Sequence, residues 1–210
     1  MTAPHPDRGA TLLWTLAALT ALPELVLTGA DLGLWGDPVW RPLAYQWGGF
    51  WAGLWRGWVP NYAAQPVVML LLYPFLHAGP AHLIGNLAGL WVIGGAIRPR
   101  VGALGVVTLW TLGAIAGGVA FGLVSIRSAP MVGASGAVFA LAGAWAWIDA
   151  QTRPPGLRRW GRRAGLAVIG VGVNLAMIRL SPGGIAWETH LGGALAGVAI
   201  AALGPLRPGR

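Results

Sequence analysis

The chain has 210 residues; 56% are hydrophobic, only 10% are charged, and there are 34 Gly, 13 Trp, no Cys and a formal net charge of +8. An average soluble domain carries about 25% charged residues, so this chain cannot cover a water-facing surface. A soluble enzyme, a disordered chain and a nucleic-acid binder are therefore excluded, the last because basic groups need a solvated face to meet phosphates. The absence of Cys removes disulfides, thiolate zinc sites and a Cys nucleophile. A polytopic membrane protein remains, and at roughly 20 apolar residues per span the length allows about six helices.

The first span is expected at about 10–28. It follows His5 and Arg8 like the core of a leader, but Thr28-Gly29-Ala30 is a poor cleavage site and the run is long enough to cross. The segment 29–66 holds Trp35, Trp40, Trp47, Trp51, Trp55 and Trp58 among Asp31, Asp37, Arg41 and Arg56. It is too interrupted to span, and its Trp content fits the headgroup layer, so it reads as a long interfacial loop. The apolar run 67–76 is short and is interrupted by His77-Ala78-Gly79-Pro80. Pro80 suits the first turn of a second span at about 80–97, which Arg98-Pro99-Arg100 closes. Further spans are expected at about 101–124, 131–150, 164–179 and 187–203, with a basic loop between 151 and 163 and a turn over Ser181 to Ala186.

The expected fold class is thus an all-α membrane protein with six spans. It has a short N-terminal arm (1–9), one membrane domain (10–205) and a tail (206–210). Six spans put Arg8, Arg98, Arg100, Arg153, Arg158, Arg159, Arg162, Arg163, Arg207 and Arg210 on one side, against Arg41, Arg56, Arg127 and Arg179 on the other. The positive-inside rule makes the ten-Arg side, which carries both termini, cytoplasmic. The same arginines suit anionic lipid. Small residues recur at membrane depth, among them Gly113, Gly117, Gly143, Gly193 and Gly197, as close helix packing requires.

Polar side chains at membrane depth are costly and face the bundle interior. They are few: Glu24, His82, Asn86, Ser135, Asn174, Glu188 and His190, with scattered Thr. His82, Ser135 and His190 stand near the starts of the second, fourth and sixth spans, all entering from the same side, and so at similar depth. Asn86 lies one turn beyond His82 on the same face. In Gly133-Ala134-Ser135-Gly136, the glycines clear side chains from around the hydroxyl. Ser135 also falls in the first turn of its helix, where free N–H groups and the positive helix end favour an oxyanion. Ser135 then suits a nucleophile and His190 its general base, with His82 and Asn86 as oxyanion donors. No Asp is near the sixth span, and Glu188, two residues from His190, points elsewhere on the helix. A dyad is therefore expected, with Phe139, one turn after Ser135, stacked on the His190 ring.

Three motifs together resemble the rhomboid intramembrane serine proteases: His77 with His82-Leu83-Ile84-Gly85-Asn86, then Gly133-Ala134-Ser135-Gly136, then His190 with Gly193 and Gly197. The resemblance runs from the first span to the sixth. It implies a six-helix rhomboid bundle and cleavage of single-pass transmembrane proteins in or beside their membrane segment. It matches Ser135 and His190 to the catalytic pair, His82 and Asn86 to the oxyanion group, and His77 to a loop histidine. Gly133 and Gly136 flank the nucleophile, and Gly193 and Gly197 match the pair that packs the sixth span on the fourth. No cofactor or metal is implied; the implied partners are membrane lipid and the substrate. The implied location is a bacterial inner membrane with the site toward the outer face. Two alternatives stand beside this: a non-catalytic protein of the same fold that binds transmembrane helices, and a transporter or metal site using His77, His82 and His190. Three departures from the family pattern are visible. Val68 and Met69 stand where many members carry a Trp-Arg pair, leaving Trp55-Arg56 earlier in the loop. Thr189 replaces a common Ala, and Phe139 a frequent Tyr.

Overall fold

A computed structural model describes residues 8–180 and 184–204. His5, Arg207, Arg210, most of the N-terminal arm, the tail from 206 and the Ser181-Pro182-Gly183 part of the expected turn lie outside the described residues. The described chain is helical. It runs α1 (Arg8–Asp31), α2 (Trp40–Gly48), a 3₁₀ turn (Ala52–Arg56), α3 (Gln65–Leu72), α4 (Pro80–Gly89), α5 (Gly95–Val124), α6 (Ser135–Gln151), α7 (Leu157–Leu180) and α8 (Trp187–Leu203). Among the described residues, three stretches are long and apolar enough to cross a membrane: Ala10–Asp31, Pro80–Val124 and Leu157–Arg179.

α4 passes through a π-helical turn (Leu90–Gly94) directly into α5. The 45 residues of this stretch are more than twice what one crossing needs. The break comes at Gly102, whose φ of 72° only glycine adopts freely. The pause expected at Arg98-Pro99-Arg100 thus falls two residues after Arg100, where the backbone can turn.

Two other boundaries move. α6 starts at Ser135 and not at 131, because Met131 pairs with Phe50 in an antiparallel bridge, each N–H donating to the other's carbonyl at 2.9 Å. α7 starts at Leu157, so the expected basic loop is largely the first two turns of a helix. Arg has high helix propensity, and Arg162 is paired with Asp149 at 2.7 Å.

The centre is α5, α6 and α8, and small residues set its spacing. A Cβ on Gly197 would lie 1.9 Å from the Ala140 carbonyl oxygen, and one on Gly193 would lie 2.0 Å from that of Gly136. The reverse holds for Gly143, 2.2 Å from the Ala194 carbonyl. Gly113 admits Ala140, and Gly117 admits the Thr189 backbone, in the same way. These backbones touch because no side chain intervenes, and dispersion over that contact replaces the hydrophobic drive that lipid does not supply. Large apolar side chains such as Ile84, Leu104, Leu123, Val168 and Leu195 point outward instead. Such an apolar exterior suits lipid and not water.

The segment 29–66 is more ordered than the expected interfacial loop, since it holds α2 and the 3₁₀ turn. Two arginines fasten it. Arg56 donates to the carbonyls of Gly122 (2.8 Å), Leu123 (3.2 Å) and Ser125 at the end of α5, satisfying acceptors that a helix end leaves free. Its neighbour Trp55 donates to the Pro66 carbonyl at 2.9 Å and meets Phe50 edge-on. Trp55-Arg56 thus anchors the loop despite Val68 and Met69 standing at the usual place. Arg41 forms the second tie: it holds both carboxylate oxygens of Glu24 at 2.8 Å and Asp31 at 2.6 Å. Glu24 is almost wholly buried in α1, so the guanidinium supplies the partner that a carboxylate there requires. Hydrogen bonding to Glu24 raises the pKa of Arg41 further above its ordinary value, so the guanidinium stays charged.

Candidate active site

The side chains singled out in sequence come from three helix starts. His82 is the third residue of α4, Ser135 the first of α6 and His190 the fourth of α8. Ser135 Oγ lies 2.9 Å from His190 Nε2, and both residues are buried. The Phe139 ring stacks on the His190 imidazole at 4.3 Å, with the planes 4° apart. Gly193 and Gly197 lie one and two turns beyond His190 on α8, where they clamp that helix to α6 and so fix the Oγ–Nε2 distance.

Gly133 decides how closely α4 approaches. Its φ is +117°, a conformation that L side chains avoid. A Cβ there would stand 2.5 Å from His82 Cε1, 2.7 Å from His82 Nε2 and 3.5 Å from Asn86 Nδ2. Glycine thus leaves both side chains beside the backbone that leads into Ser135. Asn86 is buried, and its Nδ2 has no hydrogen-bond partner among the described residues. An unpaired buried donor costs about 1–3 kcal/mol, and this one lies beside Gly133, two residues before Ser135. Gly136 lies against the Tyr73 hydroxyl and Thr189, where added bulk would meet atoms at 3.3–3.4 Å.

His77 acts from behind. It is fully buried, and its Nε2 accepts a long hydrogen bond from the Ala134 N–H at 3.4 Å. Its carbonyl accepts from the Tyr45 hydroxyl at 2.6 Å and from Arg41 at 2.9 Å. A continuous set of bonds therefore runs from Glu24 on α1 through Arg41 and His77 to the residue before Ser135. Tyr73 adds a second brace: its carbonyl accepts from the Gly133 N–H at 3.0 Å, and its hydroxyl donates to the Ala114 carbonyl at 2.6 Å.

The structure brings Ser135, His190, Phe139, His82, Asn86, Gly133 and His77 together. Residues that sequence reasoning did not assign to the site are Arg41, Tyr45, Tyr73 and Asn174. Asn174 on α7 lies with its Oδ1 2.8 Å from His190 Nδ1. The signal that marks it in sequence is its place among the few polar residues at membrane depth. Glu188, like His190, is buried, but it is not bonded to the imidazole. Beside His190, a cavity of about 410 Å³ opens between α6, α7 and α8, lined by Phe139, Trp147, Arg163, Gly170 and Asn174 among others.

The model of the Rhomboid domain matches residues 64–206. A curated relative, "Rhomboid protease GluP" of Bacillus subtilis (strain 168), is 33% identical over 137 residues, covering 64% of this chain. The aligned region is 26% of that relative's length, so this chain spans about a quarter of the curated protein it matches.

Proposed function

Given that the chain belongs to the rhomboid family and is an integral membrane protein, we propose that it is an intramembrane serine endopeptidase with Ser135 as nucleophile and His190 as general base. The observation that carries this is the 2.9 Å contact between His190 Nε2 and Ser135 Oγ, inside a buried site. His190 takes the Ser135 proton as Oγ adds to the carbonyl carbon of the scissile bond. The C–N bond then breaks, and the amine leaves with the proton from Nε2. Water, activated by the same imidazole, hydrolyses the acyl-enzyme and frees Ser135. The negative charge on the substrate oxygen forms beside Asn86 Nδ2, the His82 ring and the N–H groups that open α6. Asn86 Nδ2 is in that account a donor left unpaired so that it can meet the oxyanion.

Six crossings are assigned to α1, the two arms on either side of Gly102, α6, α7 and α8. The 17 residues of α6 and of α8 give each a length of only about 26 Å, less than a hydrocarbon core of about 30 Å. Short central helices hold their N-terminal ends, and with them Ser135 and His190, below the outer surface. The arginine asymmetry sets both termini on the cytoplasmic side and the site toward the outer face, as in a bacterial inner membrane. The substrates of this reading are single-pass proteins whose membrane segment unwinds into the site. Segments with small, helix-breaking residues are preferred, because an unwound peptide bond is costly in lipid.

The test is cleavage of a model single-pass substrate by the protein reconstituted in vesicles. Wild type is expected to cut it, Gly/Ala-rich segments faster than poly-Leu, and Ser135→Ala and His190→Ala are expected to fall to background. Equal cleavage by wild type and Ser135→Ala would refute the assignment.

A further inference from the structure

We propose that Asn174 is a positioning residue for His190, supplied by α7 to complete a Ser135–His190–Asn174 array. This rests on the serine protease assignment and adds a member that the dyad lacks.

Two contacts orient the His190 ring, and they do different things. The Phe139 stack fixes the plane of the imidazole. A stack has no direction within that plane, so it does not distinguish the ring from its 180° flip about Cβ–Cγ and does not choose a tautomer. The bond at Nδ1 does both. Asn174 Oδ1 is an acceptor 2.8 Å away, so it places the ring proton on Nδ1. The Nε2 lone pair is then the one that faces Ser135 Oγ at 2.9 Å. When Nε2 takes the serine proton, the Nδ1–H of the imidazolium still donates to Asn174, which stays neutral throughout. With the amide turned the other way, Nδ2 would donate to Nδ1 and put the proton on Nε2, where the ring could not act as base.

The placement of Asn174 on α7 supports this. No described side chain of α7 is buried, and the half-buried ones include Arg159, Arg163, Leu166, Gly170, Asn174 and Met177. These follow helical spacing and form one inward stripe. Asn174 is the uncharged polar group of that stripe. From Arg163 up to Asn174 α7 lines the 410 Å³ cavity and does not pack closely, so the bond to His190 is a specific contact in a loose interface. An amide also suits the depth: it accepts the Nδ1–H without the desolvation cost of a carboxylate in lipid.

Steady-state cleavage of the model substrate by Asn174→Leu, Asn174→Asp, Gly172→Ala and Ser135→Ala tests this, with melting temperatures in detergent. Asn174→Leu is expected to lower kcat at least about tenfold, a share of the 10²–10⁴ that a placed acid–base group contributes. KM and melting temperature are expected to hold. Asn174→Asp keeps an acceptor and is expected to recover much of the rate. Gly172→Ala alters the same helix on its exposed side, with no atom within 4 Å of the new methyl, and is expected to match wild type. The proposal is overturned if kcat of Asn174→Leu stays within about twofold of wild type. It is equally overturned if Leu and Asp lose activity alike, in step with melting temperature. If Ser135→Ala still cleaves, the protease assignment itself fails; if only the Asn174 variants behave as wild type, the assignment stands and the third member is dismissed.

Discussion

His190 is held between two neighbours of opposite character. α8, which carries it, is pressed on α6 so closely that a single methyl at Gly193 or Gly197 has no room. α7, which touches it through Asn174, stands off across an open cavity, and none of its described side chains is buried. The difference follows the demands of the chemistry. Proton transfer from Ser135 to His190 tolerates little error in distance, and backbone-to-backbone contact fixes distance best. Choosing a tautomer needs only one directed bond, which a loosely packed helix can supply. The pinned side extends further through α4 at Gly133 and through Arg41, Tyr45 and His77 to α1. The loose side ends at α7.

Mutations that attack the pinned side should therefore cost most. Arg41→Ala leaves Glu24 buried without its cationic partner and removes one of the two donors to the His77 carbonyl; a loss of about 3–5 kcal/mol in stability is expected, read by thermal melting in detergent. Asn86→Ala removes the unpaired donor beside the developing oxyanion. A fall of about 10²–10³ in kcat is expected with the melting temperature unchanged or raised, since a buried unsatisfied group is removed. Gly197→Ala and Gly170→Ala form a matched pair, one on each side of His190. The first forces α8 off α6 and is expected to cost about 1–3 kcal/mol. The second meets nothing and is expected to hold or raise the melting temperature, because Ala is the better helix former. Equal losses in the pair would erase the contrast between the two sides. Phe139→Leu is the mildest change: losing the stack is worth about 0.5–1.5 kcal/mol, read as a severalfold fall in kcat.

The sequence carried much of the site and less of what supports it. Ser135, His190, His82, Asn86 and Phe139 stood out because a chain with one charged residue in ten leaves few polar groups at membrane depth, and their helix positions set a common layer. Gly193 and Gly197 stood out by their spacing after His190. Asn174 was visible as a polar residue but had no evident partner, since nothing in a sequence fixes the rotation of a helix that is exposed on most sides. Glu24 and Arg41 are 17 residues apart in different elements, so their pairing appears only once the loop has folded back on α1. The segment 29–66 read only as an interfacial loop because Gly, Pro and scattered charges break hydropathy periodicity. Its order comes instead from single long-range bonds, such as Arg56 on the end of α5 and Phe50 against Met131, that leave no periodic trace. The late start of α6 has the same origin.

The central claim is that Ser135 is a nucleophile activated by His190, and a mechanism-based phosphonofluoridate tests it without any substrate. Treatment of the purified protein, followed by mass mapping of the adduct, is expected to place the phosphonyl group on Ser135. It should be absent from Ser135→Ala and strongly slowed in His190→Ala. An unlabelled wild type, an adduct on a different residue, or equal labelling of wild type and His190→Ala would contradict the account.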